Sequence, residues 1–183
     1  HIFKYMKKNI LSIILFFILT THSFSHVEHY ENFNMLKYEL FRNNKLIGYH
    51  DYKFERKNDY FKVNSVIEFK ITKLGVDLYK YKAVSSEEYK KDQLVNFSSK
   101  TKQNKKLKNT EIVFNEKTKK LIITGSENQL IAPSQYMVGT WWNHEIVQKK
   151  AQISAISGRI IEQKVTFLGK EKIELYGKTY DAL

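Results

Sequence analysis

The 183-residue chain contains no cysteine. That excludes disulfides, thiolate chemistry and a lipidated cysteine behind a leader. Proline occurs once, at Pro133, and glycine seven times, so no Pro- or Gly-rich linker divides the chain. Its longest apolar run, Ile10 to Leu19, is shorter than the ~20 residues a transmembrane helix needs. No Gly-x-Ser-x-Gly elbow, phosphate-binding glycine loop or His-Glu-x-x-His helix occurs, which leaves no motif-based ground for an enzyme. No cofactor is implied.

What the chain does have begins at Met6. Lys7 and Lys8 precede the short apolar run, and the small residues Ser23 and Ser25 follow it. This is the pattern of a secretory signal peptide. Residues 1–25 are expected to be a leader, starting at Met6 and forming a signal helix, with HIFKY read as translated upstream sequence. Cleavage would leave His26 as the mature N-terminus; without it, Ile10 to Thr21 would remain as a tether. A periplasmic location is expected, away from ATP, nucleotides and nucleic acid. Residues 26–35 are expected to form a flexible segment and 36–183 a single β domain. The chain stops at Leu183 within strand-like sequence, so at least one further C-terminal strand is expected.

Acidic residues are in the minority, 19 against 31 basic ones. Removing Lys4, Lys7 and Lys8 with the leader lowers 31 to 28, a net charge of +9 for the remainder. Enrichment in Lys, Asn and Ile explains part of this as composition bias on a solvated surface. The functional reading is attraction to an anionic envelope surface. Lys100, Lys102, Lys105, Lys106 and Lys108 surround one turn, and Lys117, Lys119 and Lys120 another. They lack the interleaved aromatics that base stacking requires, so nucleic acid is not expected as a partner. Anionic lipid headgroups are the alternative for these lysines.

Period-two alternation dominates the rest. In Tyr60 to Ile71, Phe61, Val63, Ile67, Phe69 and Ile71 fall on one face, with Lys62, Asn64, Glu68 and Lys70 on the other. A helix would scatter them. Asn43-Asn44, Lys57-Asn58-Asp59, Gly75, Lys91-Asp92, Gln103 to Lys106 and Asn115 to Lys117 punctuate such runs. Ser126 to Lys150 breaks the rhythm, with a helical turn expected after Ser134 and another over Trp142 to Lys149. Strands are expected again at Ile153 to Ile156, Ile160 to Leu168, Lys172 to Tyr176 and Lys178 to Ala182. The expected fold is mostly β: a curved antiparallel meander, a half-barrel or open barrel, with one short helical insertion.

The order of Leu46-Ile47-Gly48, Leu78-Tyr79-Lys80-Tyr81, Ser86 to Leu94, Trp142-Asn143, Ser157-Gly158 and Leu168-Gly169 resembles an exported bacterial family, domain of unknown function number 6134, and its relative number 3108. The likeness covers residues 36–183. Tyr89 stands where the family usually has Trp. The resemblance implies a curved antiparallel sheet in the periplasm; it supplies no activity, substrate or catalytic residue. Such sheets look like those of periplasmic lipoprotein carriers, which is analogy of fold.

Three clusters are candidates for chemistry. His26 and His29, with the terminal amine of a processed chain and with His50 or His144 to complete the site, have donors suited to copper or zinc; a solvated tail is the alternative. Trp141-Trp142-Asn143-His144-Glu145 offers His144 as a general base, but adjacent residues diverge, so Glu145 orients it poorly. Trp142 as a plug, with Trp141 at the surface, is the simpler expectation. Asp77, Tyr79, Tyr81 and Glu87 read as one polar aromatic stripe. The expected function is binding of an apolar or amphipathic envelope component, lipid or lipoprotein-like, on the concave face of the sheet. Its lining is expected from Phe61, Phe69, Tyr79, Tyr81, Trp141 and Trp142. Alternatives are an envelope structural protein without a small ligand, and a hydrolase using His144.

Overall fold

The computed structural model describes residues 32–126 and 128–182. The expected leader with its signal helix and the His26/His29 pair fall outside the described residues. Eight strands form one antiparallel sheet in strict sequence order: β1 (Met35–Arg42), β2 (Lys45–Lys57), β3 (Tyr60–Lys73), β4 (Val76–Lys90), β5 (Gln93–Gln103), β6 (Lys106–Asn115), β7 (Lys120–Gly125) and β8 (Gln129–Pro133). β1 and β8 stand at its two edges, so the sheet is an open meander and not a closed barrel.

The turns follow from local chemistry. Asn43 and Asn44 adopt φ of 50° and 58°, the left-handed pair that two-residue hairpin turns require. Asn58, Lys91-Asp92 and Asn104 turn the next hairpins in the same region of backbone space. Alternation then sends one side of every strand to a common face, because directly opposed residues point the same way.

Downstream of β8 the chain crosses that face. β9 (Met137–Val138), β10 (Ala151–Ile153) and β11 (Ile160–Glu162) form a small second sheet, and a 3-10 helix, His144–Gln148, lies between β9 and β10. Asn143 caps this helix by accepting from the Glu145 amide. Gly125 lets the crossing segment approach: a Cβ there would collide with the Ser157 carbonyl oxygen. β12 (Glu171–Leu175) and β13 (Lys178–Ala182) make a separate hairpin.

Three local expectations are corrected. Gln129–Pro133 lies inside the stretch read as irregular, yet it is the eighth strand, paired with β7 from Lys120↔Pro133 to Thr124↔Gln129. Pro133 is tolerated there because it sits at the end of an edge strand. No helical turn follows Ser134. Of the run Ile160 to Leu168, only Ile160–Glu162 forms a strand, with Gln163 adding one backbone bond to Lys150; Val165, Phe167 and Leu168 are exposed. Among the described residues no helix is long and apolar enough to cross a membrane.

The core lies between the sheet and the crossing segment. One cluster joins Leu94, Phe97, Ile112, Leu121, Ile123 and Ala132 of the sheet to Val138 and Ile153. A second packs Trp142 on Tyr52, Phe54 and Val63.

Candidate functional site

Strand register arranges the covered face as parallel rows, and the rows change character along the strands. The first is Phe54↔Val63↔Glu87↔Phe97↔Ile112↔Ile123, across β2 to β7. All six side chains are buried, and Glu87 is the sole polar member. Two residues along, Tyr52, Ser65, Ser85, Ser99 and Thr110 form a hydroxyl row. Beyond it come His50, Ile67, Ala83 and Thr101, then Gly48, Phe69 and Tyr81, then Ile71 and Tyr79.

The first row is closed. Trp142 is enclosed by Phe54, Phe61 and Tyr89, with ring centroids 5.5 to 5.9 Å away in edge-to-face geometry. Its indole N–H donates to Glu87 Oε1 at 3.0 Å, and the Tyr89 hydroxyl donates to Glu87 Oε2 at 2.6 Å. No cation pairs with this carboxyl among the described residues. Burial pushes its pKa up, and the hydrogen bonds from Tyr89, Thr140 and Trp142 pull only partly back.

The hydroxyl row is stitched to the crossing segment. Tyr52 donates to the Thr140 carbonyl at 2.5 Å, Ser99 donates to the Ala155 carbonyl, and Ser65 and Ser85 share a bond of 2.9 Å. Past these attachments the cover lifts. A cleft of about 310 Å³ opens between the sheet and the segment, with Ile67, Ala83, Tyr81, Trp141, Ile156 and Ile161 among its walls and hydroxyls of Ser65, Ser85, Ser99 and Thr101 on its floor. His50 is also at its wall, 3.3 Å from the Tyr52 hydroxyl, and burial holds its pKa below the usual histidine value. Burial likewise raises the pKa of Tyr81. Both shifts favour the neutral form, so the cleft is uncharged at neutral pH.

Next to the cleft, Phe69, Tyr79 and Tyr81 make an aromatic stack, with Phe69 and Tyr81 centroids 5.0 Å apart at 19°. Gly48 lies directly opposite Phe69 across the β2–β3 ladder; a Cβ at Gly48 would strike Phe69 and the Glu68 carbonyl.

The expected lining residues are thus divided between two environments. Phe61 and Trp142 belong to the closed cluster. Phe69, Tyr79 and Tyr81 belong to the open stack, and Trp141 stands at the mouth of the cleft, 62% exposed. Trp141 has φ of 66°, a left-handed value unusual for a bulky side chain. That backbone turn puts two successive indoles in opposite environments.

The stripe of Asp77, Tyr79, Tyr81 and Glu87 is not one surface. A bulge at Ile71/Thr72 shifts the β3–β4 register, so Asp77 pairs with Thr72 and takes the outer face. There it accepts from Thr72 at 2.9 Å and pairs with Lys80 at 2.9 Å and Lys70 at 3.7 Å. Glu87 is walled off in the core. His144 opens the 3-10 helix and is exposed. Among the described residues no group of three His, Cys, Asp or Glu side chains is placed to hold a metal ion.

Sequence reasoning missed the hydroxyl row, and it offered His50 only as a further ligand for the His26/His29 metal site, not as part of a cleft. The row's signal was available: Ser65, Ser85 and Ser99 occupy inward positions of three alternating strands. It becomes visible only once register aligns them.

Fold and site together define an open antiparallel β-meander domain whose covered face is half filled and half open. The chain belongs to the family described as Domain of unknown function (DUF6134), whose model matches residues 38–183. No curated protein and no solved structure matches it.

Proposed function

We propose that this is an exported, non-catalytic envelope domain that binds an amphipathic ligand on the open half of its inner sheet face. The observation that carries the reading is the change of character along that face. One end is packed solid, and the other leaves an aromatic stack beside an uncharged cleft of about 310 Å³. Small-ligand sites begin near ~300 Å³ and combine apolar walls with a few polar groups. The apolar part of the ligand lies along Phe69, Tyr79 and Tyr81 and under Trp141. Its polar part meets the hydroxyls of Ser65, Ser85 and Thr101. A lipid or a lipid-modified peptide has this chemistry.

Export rests on the leader sequence at Met6 to Ser25, and an envelope location follows from it. Native mass spectrometry of protein expressed with its leader and recovered from the periplasm tests the reading. A co-purifying lipid that is lost in Tyr81→Ala is the expected result. Bare protein, with no displacement of a fluorescent fatty acid by any phospholipid, would overturn it.

A further inference from the structure

The end of the sheet nearest the aromatic stack carries a second feature that ligand binding does not use. The β1–β2 and β3–β4 turns lie side by side there, around a shallow depression lined by Arg42, Lys45, Leu46, Lys70, Lys73 and Leu78 among others, with no carboxylate in its lining. Between β3 and β4 the turn residues are Leu74 and Gly75, at φ of 52° and 79°. This backbone favours Asn-Gly, because a bulky side chain at positive φ is strained. The other two-residue turns of the large sheet use Asn, Asp and Lys. Leu74 is nevertheless 94% exposed, the extreme among the large apolar residues of the eight-stranded sheet. Val76 and Leu78, just behind it, are also exposed. Leu74 therefore serves neither its turn nor the core.

The charges around it are just as one-sided. Within the described residues Arg42, Lys45 and Lys73 form no ion pair, and the one carboxylate beside the turn, Asp77, is engaged by Thr72, Lys70 and Lys80. An apolar apex next to a depression lined by unneutralised cations matches the boundary between acyl chains and anionic headgroups. A soluble protein partner would have to supply both an apolar socket and a surrounding acidic ring. A bilayer supplies both without specific shape.

We propose that this tip docks the domain on an anionic lipid bilayer, with Leu74 entering the acyl boundary and Arg42, Lys45 and Lys73 meeting the headgroups. Docking in this orientation turns the open end of the ligand face toward the membrane. The proposal stands on the tip alone and does not require the ligand reading.

The absence of cysteine permits a local test. In the full chain, Leu74→Cys gives a single site for an environment-sensitive dye, and Ile131→Cys, exposed on β8, gives a control. Vesicles of phosphatidylcholine with phosphatidylglycerol are expected to brighten and blue-shift the label at 74 and not that at 131. Phosphatidylcholine alone, or high salt, is expected to abolish the response. Adding Lys45→Glu and Lys73→Glu is expected to weaken the titration at least ~10-fold, since each cation near such a surface contributes comparably. An unchanged label at 74, an equal response at 131, or full binding by the charge-reversed variant would each overturn the proposal. Because the dye reads only the tip, these outcomes are separate from lipid retention on the sheet face.

Discussion

The indole N–H of Trp142 reaches Glu87 across 55 residues of sequence and donates to its carboxyl at 3.0 Å, inside an otherwise apolar row. This bond ties the crossing segment to the centre of the sheet. A carboxyl enclosed this way depends on its few donors, because water cannot replace them.

Trp142→Phe keeps most of the ring packing and removes that donor. The expected loss of stability is about 1–3 kcal/mol, the cost of an unsatisfied buried polar group. Trp142→Ala removes the packing as well and is expected to cost about 3–5 kcal/mol. Urea unfolding followed by far-ultraviolet circular dichroism measures both; a Trp142→Phe variant as stable as the parent would contradict a separate contribution from the hydrogen bond.

Glu87 and His50 give stability opposite dependences on pH. Burial raises the Glu87 pKa above its ordinary 4.5, so the folded state binds the proton more tightly than the unfolded chain. Its contribution is fullest below that value and declines as pH rises through the folded pKa. Burial lowers the His50 pKa below 6.5, so the unfolded chain binds that proton more tightly. Its contribution is full above 6.5 and declines as pH falls through the folded pKa. Melting temperatures of Glu87→Gln and His50→Asn across acid to neutral pH should separate the two slopes. If Glu87→Gln leaves the upper slope unchanged, another group is responsible.

Gly125→Ala is expected to destabilise by about 1–3 kcal/mol, the usual cost of overpacking. The added methyl meets the Ser157 carbonyl, which is backbone and cannot rotate away. Gly75→Ala meets nothing within 4 Å and is strained only by its φ of 79°. Calorimetry of the pair distinguishes a steric cause from a conformational one: the Gly125 substitution should be the worse.

Phe69→Ala and Tyr81→Ala are expected to weaken binding of a fluorescent fatty acid about tenfold each, roughly 1.4 kcal/mol. Both rings are half-buried on the open side, outside the two core clusters, so stability should change less than for Phe97→Ala in the core. Phe61→Ala is expected to act in the reverse sense, lowering stability more than affinity. Titration and thermal unfolding of the same three variants decide this.

Much of the architecture is written in short-range pattern. Alternation from Phe61 to Ile71 marks a strand because its period of two cannot be met by a helix, and Asn43-Asn44 marks a hairpin because asparagine accepts positive φ. Those cues suffice for an open-ended meander with local pairing, and the motif order suffices for the family. β8 was lost because an edge strand with one proline and only five residues carries too little pattern to stand out from a loop.

The site depends on distances in sequence that no local pattern spans. The sequence already favoured Trp142 as the enclosed indole and Trp141 as the exposed one, but whether Glu87 faces water or core and whether Asp77 shares a face with Tyr79 were settled by a bulge, a register and a crossing segment. Side-chain alternation is a property of one strand, and covering one half of a face is a property of the whole chain. The first is encoded every two residues; the second exists only when residues 136–157 are laid across strands that precede them.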